Sequence, residues 1–216
     1  MHVDGAYVAL AAIAAPGKFT GMDLADSLSL DPHKWLYQPL DCGCLLYRDV
    51  NTAHTAFAHT GDYARALTND PVEGFAFFEE SLELSRRFRA LRLWLSLRYH
   101  GLQAFRDAIQ KDMDLAQHLG AAIAKRPELE LLAPVQLSAV CFRYTGTESF
   151  SEAELNQHNA AILKRVVQRG RVYLSNATLR GKFCLRACIV NHRTIEADVD
   201  SVIPEVLTAA KDLSLR

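Results

Sequence analysis

The chain has 216 residues, half of them hydrophobic (50%) and 23% charged, which is the composition of a soluble globular protein long enough to bury a core. Its 24 Lys and Arg stand against 25 Asp and Glu, and the net charge of -1 excludes a global field that would draw nucleic acid or an anionic membrane. No apolar run approaches the roughly 18 residues that span a bilayer, and the apolar stretch from Ala6 to Ala15 lacks the basic flank of a secretory signal; the expected setting is cytoplasmic.

Along the chain, Val3 to Ala12 begins as a strand and runs into a small-residue segment closed by Pro16-Gly17. Asp26 to Leu30 and Cys44 to Tyr47 are short runs that suit buried strands, and together they suggest part of a large α/β sheet. From Asn51 to Glu80 the periodicity fades and Gly61, Pro71 and Gly74 punctuate a long loop, a length more often functional than ordinary. Leu84, Phe88, Leu91 and Leu95 recur at helical spacing, predicting a helix over Leu82 to Tyr99. Its arginines, Arg86, Arg87, Arg89, Arg92 and Arg98, are expected on a solvated or ion-paired face.

Gly101 marks a break, and a second helix is predicted from Leu102 to Lys125. Strands are then expected at Leu129 to Leu132, Ala139 to Tyr144, Arg171 to Ser175 and Phe183 to Val190, with helices near Glu152 to Gln168 and Ile195 to Asp212. Ser151 with Glu154 forms a capping box, and Pro204 kinks the last helix or starts its second part. The division expected is 1–100 and 101–216, the second being a small α/β domain.

Cys42, Cys44, Cys141, Cys184 and Cys188 form no disulfide framework and lack the two-residue spacing of common zinc sites, so they are taken as small buried hydrophobes. His54, His59, His100, His118, His158 and His192 show no metal-ligand spacing either, and no metal is expected.

Asp4 and Lys34 are a candidate pair for chemistry, although charged residues mostly sit exposed and their spacing alone does not single them out. A lysine amine in a partly desolvated site can condense with an aldehyde, and a carboxylate can keep a pyridinium nitrogen protonated; these are the two groups that pyridoxal 5′-phosphate (PLP) requires. Thirty positions separate them, which allows both to face one pocket if Val3-Asp4 ends one strand and Ser27 to Lys34 runs through the next.

The chain resembles the group II PLP-dependent amino acid decarboxylases, which include aromatic-L-amino-acid, histidine and glutamate decarboxylases. The resemblance rests on His2 to Tyr7 (HVDGAY), Ala25 to Leu36 (ADSLSLDPHKWL), Asp41 to Cys44 (DCGC), Ser85 to Trp94 (SRRFRALRLW) and Phe183 to Ala187 (FCLRA), which occur in the family's order. It implies a fold-type I, aspartate aminotransferase-like α/β architecture, with residues 1–100 as the C-terminal part of the large PLP-binding domain, including a mobile loop and linking helix. Residues 101–216 follow as the small C-terminal domain. Compared with the family, the upstream phosphate cradle, the ring-stacking side chain and the amino-terminal dimer segment are expected to be missing.

By the same resemblance, Lys34 is the Schiff-base lysine and Asp4 the partner of the pyridine nitrogen. Ala6 lies against the ring, and His33 and Asp31 stand near the cofactor phosphate, which Ser85 reaches from the other subunit of a homodimer. Tyr63 is the mobile-loop residue that protonates the substrate carbon after carbon dioxide leaves, where a phenylalanine favours oxidative deamination instead. Arg186 helps to hold the carboxylate of an amino acid substrate. Three positions depart from the pattern: Gly5 replaces a usual alanine, and Val8 and Ala9 replace frequent glycines. The implied function is decarboxylation of an L-amino acid to an amine; the alternative is a truncated, catalytically inactive fragment or interaction module.

Overall fold

The computed structural model describes residues 1–58, 77–146 and 150–214. They form two compact units, Met1–Gln103 and Ala104–Arg216.

The first unit is built on a three-stranded sheet in the order β1 (His2–Asp4), β2 (Ser27–Leu30), β3 (Cys44–Tyr47). β1 and β2 run parallel with Asp4 opposite Ser29, and β3 returns antiparallel with Cys44 opposite Leu30. Parallel neighbours need a crossover, and here it contains 3-10 turns at Ala9–Ile13, Pro16–Phe19 and Met22–Leu24. Small residues let the first of these pack tightly: Ala9 and Ala11 are buried beside Leu10. A one-turn helix α1 (Pro32–Trp35) follows β2, with Pro32 at its first position, where a missing N–H costs nothing. Helix α2 spans Thr52–Phe57.

Helix α3 runs from Arg89 to Ala124 and is interrupted at Gly101, whose φ of 76° and ψ of 157° are open to glycine alone. The predicted start at Leu82 is therefore seven residues early. A helix face is stabilised mainly by what it packs against, and Leu82, Leu84 and Phe88 are 91%, 62% and 72% exposed, so nothing among the described residues holds 82–88 in a helix. Within α3, Leu91, Trp94, Leu95 and Tyr99 are also exposed and recur at helical spacing as one apolar row before the break at Gly101, and Leu102 is exposed just after it. Among the described residues, two of the five arginines are ion-paired: Arg87 and Arg89 hold the Asp41 carboxylate at 2.8 and 3.1 Å, and Arg89 also takes Glu83, while Arg92 donates to the Asp41 carbonyl at 2.7 Å. Donation by Arg89 holds the Asp41 carboxyl below its usual range.

In the second unit, the sheet order is β4 (Leu129–Leu131), β5 (Ala139–Tyr144), β7 (Lys182–Cys188), β6 (Ser175–Leu179), all antiparallel. Val140, Phe142, Leu185 and Ala187 alternate inward, where α4 (Glu152–Arg169), the later part of α3 and α6 (Val202–Ser214) cover them through Ile162, Val166, Leu119 and Val206. Ser151 and Glu154 make the reciprocal cap expected of them. Asn159, fully buried, satisfies both backbone groups of Tyr144 at 2.8 Å and so ties α4 to the end of β5.

Two boundaries differ from the sequence reading. β6 lies at Ser175–Leu179 rather than 171–175, because Arg180 (φ 51°) and Gly181 (φ 81°) form a two-residue hairpin loop that pairs Leu179 with Lys182. The last helical segment divides at Ser201 into α5 (Glu196–Asp200) and α6, which leaves Pro204 in the first turn of α6, where proline is tolerated. No described helix is long and apolar enough to cross a membrane.

Candidate active site

The parallel pair β1 and β2 presents its carboxyl ends together, the edge at which open α/β sheets bind ligands. Asp4 is the last residue of β1, and Asp31 to Lys34 follow immediately after β2. The fold thus brings Asp4, Ala6, Asp31, His33 and Lys34 to one edge of one sheet.

Asp4 Oδ1 accepts from the Ala6 N–H and from the Ser29 hydroxyl, both at 3.1 Å. These two bonds, the backbone one first, hold its carboxyl below the usual carboxylate range, with His2 and Lys34 adding positive charge nearby. Asp4 is therefore ionised at neutral pH. Oδ2 accepts no hydrogen bond among the described residues, so it is open to a cationic N–H.

Lys34 Nζ lies 2.7 Å from Asp31 Oδ2, and its side chain is 37% exposed. His33 Nδ1 lies 2.7 Å from the Cys42 carbonyl oxygen and 3.2 Å from the Cys42 backbone nitrogen, while Nε2 is 3.7 Å from the same Asp31 oxygen. The one-turn helix that carries these residues is fixed from below: Trp35 is fully buried and stacks on Tyr7 with ring centroids 5.7 Å apart. Asp31 has the second Asp31 oxygen facing Gly43, where a Cβ would sit 3.5 Å from Oδ1.

The departures at positions 5 and 9 meet each other in space. A Cβ at Gly5 would lie 2.3 Å from the Ala9 Cβ, 2.9 Å from Leu28 Cδ1 and 3.0 Å from the Ser29 carbonyl oxygen. The methyl absent at 5 is thus supplied by Ala9, directly beside Asp4. Gly5→Ala is expected to destabilise the chain by about 1–3 kcal/mol, the usual cost of overpacking. Adding Ala9→Gly should recover part of that loss in urea unfolding; a Gly5→Ala variant as stable as the parent would refute this packing.

The remaining sequence candidates fall elsewhere. Ser85 is exposed in the irregular segment before α3. Arg186 belongs to the second unit, on β7, where its Nε donates to the Ser175 hydroxyl at 3.0 Å. Tyr63 lies outside the described residues. Cys141, Cys184 and Cys188 share the sheet face of Arg186, and burial, with Cys184 beside it, pushes the Cys141 thiol up to about 11, so it stays protonated. Sequence reasoning missed Ser29, Tyr7 and Cys42 as supports. The alternation of Ser27 and Ser29 in β2 was the available signal for the first, since paired strands put residues of one face side by side.

A family profile described as "Pyridoxal-dependent decarboxylase conserved domain" matches residues 1–145. The chain belongs to this pyridoxal-dependent decarboxylase family. It is 36% identical to an aromatic-L-amino-acid decarboxylase of Bacillus atrophaeus over 100% of this chain and 45% of that protein. It is 30% identical to a phenylacetaldehyde synthase of Petunia hybrida over 88% of this chain and 39% of that protein. The crystal structure of Oryza sativa TDC with PLP and tryptamine superposes with a TM-score of 0.88 at 27% identity, covering 98% of this chain and 44% of that one. This decarboxylase-family chain therefore has the fold-type I architecture, and it spans about half the length of the relatives it matches. The family's cofactor is PLP, and the site residues fit it: a positioned amine, and an ionised carboxylate with one oxygen open.

Proposed function

We propose that this chain supplies the amine anchor and the ring-nitrogen partner of a PLP-dependent decarboxylase acting on aromatic L-amino acids. The observation that carries the reading is the pair formed by Lys34 and Asp4 at the carboxyl ends of β1 and β2. The aromatic preference is drawn from the Bacillus atrophaeus relative. When bound, PLP supplies an aldehyde for amino groups and a protonated ring that withdraws electrons from the bond to the substrate carboxylate.

The chain's own residues then divide the work. Lys34 would hold the cofactor and give way to the substrate amine, with the Asp31 carboxylate 2.7 Å from its Nζ to position it. Asp4, whose Oδ1 is engaged by Ala6 and Ser29, would offer its other carboxylate oxygen to the charged ring nitrogen. Ala6 leaves room against the ring, and His33, Asp31 and Ser85 complete the cofactor's surroundings. Arg186 is assigned to the substrate carboxylate. Tyr63 delivers a proton to the carbon that has lost carbon dioxide, which a phenol can do because it remains protonated at neutral pH.

The working unit we assign is a cytoplasmic homodimer. The exposed row of Leu91, Trp94, Leu95 and Tyr99 supports association, and five free cysteines suit a reducing compartment. A second reading, an aldehyde-forming activity, is suggested by the Petunia relative and opposed by the tyrosine at 63. The test is product analysis with L-tryptophan, L-tyrosine, L-phenylalanine and L-glutamate on the native gene product that contains this chain. Amine and carbon dioxide are expected from the aromatic substrates, and Tyr63→Phe should cut amine formation by about 10²–10⁴-fold, the scale of a lost proton donor, while aldehyde rises. Aldehyde as the main product of the unaltered protein would overturn the reading.

A further inference from the structure

We propose that His118, Glu196 and Asp200 form a site for a borderline divalent cation of the Zn²⁺ or Co²⁺ kind on the second unit. No sequence spacing links these residues, since 78 positions separate His118 from Glu196, yet the fold brings one ligand atom from each within 4.8 Å of the others. His118 stands on the later part of α3, and Glu196 and Asp200 stand one turn apart on α5, so both carboxylates face the imidazole. His118 Nε2 already lies 2.7 Å from Asp200 Oδ1.

The chemistry is that of a transition-metal site rather than of a set of acids. An imidazole nitrogen with two carboxylate oxygens is a mixed N/O set that suits Zn²⁺ and its neighbours, whereas oxygen ligands alone would suit Mg²⁺ or Ca²⁺. Bonds of about 2.0–2.2 Å place neighbouring donors about 3.0–3.5 Å apart around the ion, so the 2.7 Å hydrogen bond between His118 and Asp200 opens slightly as wider-spaced donors close, and all three side chains are at least part-exposed and can rotate. The start of α5 is fixed by the Ile195 N–H, which donates to Asp198 Oδ2 at 3.0 Å.

A cavity of about 470 Å³ opens beside His118 and Glu196 and leaves room for water in the remaining coordination positions. Its wall adds Asp107 and Asp114 with Lys111 as the one basic residue, while Lys125 and Arg126 line the cavity on the other side of Asp200, so the donor set rather than the local field selects the ion. Lys111 also reaches the His192 carbonyl at 3.3 Å, and Gln110 donates to Asp114 at 2.8 Å.

The test is titration of the purified chain with Co²⁺ under reducing conditions, followed by absorbance, with Zn²⁺ equilibrium dialysis for stoichiometry. One ion is expected in a weakly absorbing N/O environment without a thiolate charge-transfer band. His118→Ala should weaken that binding by roughly 10- to 100-fold or more, since even loss of a group behind a ligand costs that much, and Glu196→Gln and Asp200→Asn should each weaken it. Circular dichroism checks that the exposed substitutions leave the fold intact. Unchanged affinity in His118→Ala, a thiolate band that assigns the ion to cysteine, or no binding at all would each overturn the proposal.

Discussion

Lys34→Ala is expected to abolish the covalent cofactor absorbance near the visible and to lower amine production by at least about 10²–10⁴-fold, the part owed to a positioned proton-transferring group alone. Only two lysines occur in the first unit, and the other, Lys18, sits exposed in the 3-10 turn Pro16–Phe19. The effect should be chemical rather than structural. The ion pair lost with Lys34 is partly exposed, and such pairs are worth about 0–1 kcal/mol; Trp35, which is fully buried, still fixes α1. The thermal midpoint should therefore move little. Lys34→Arg separates the two contributions, because it keeps a cation beside Asp31 but cannot condense with an aldehyde; it should lose the absorbance as completely as alanine does.

Asp4→Asn carries the second large effect. The amide retains an oxygen for the Ala6 N–H and the Ser29 hydroxyl, so the end of β1 should remain folded. What disappears is the charge. Without it the ring nitrogen loses its cationic form, and kcat should fall by roughly 10²–10³, the scale of removing one preorganised electrostatic group. The sign of the pH dependence follows from the lowered carboxyl of Asp4. A depressed acid stays ionised throughout neutral conditions and loses its charge only as pH falls through its lowered value. The ratio of variant to parent activity should thus be flat from about pH 6 to 8. A ratio that changed steeply in that window would mean that Asp4 titrates there and is not the permanent charge described.

Much of the site was legible because it is local or set by strand ends. Asp31, His33 and Lys34 are neighbours in sequence, and a proline after an alternating run placed them just beyond a strand. Asp4 joined them through the parallel pairing of β1 with β2. The order of elements in the second unit and the Ser151 to Glu154 cap were legible for the same reason: periodicity and capping are short-range signals. The errors arose where tertiary surroundings decide. Leu84 and Phe88 have helical spacing but are exposed among the described residues, so spacing alone overextended α3. β6 was displaced because its position depends on the positive φ of Arg180 and Gly181 and on pairing with β7. The His118 cluster was illegible, since its members meet only when α5 comes to rest beside α3.

The central claim is that Lys34 is the residue that holds the cofactor. Borohydride reduction of the native gene product containing this chain, in the presence of PLP, followed by peptide mass mapping, tests it most directly. The account predicts a phosphopyridoxyl group on Lys34, in the peptide that carries Asp31-Pro32-His33, and none at that position in Lys34→Arg. Stable modification of another lysine with Lys34 untouched would contradict it.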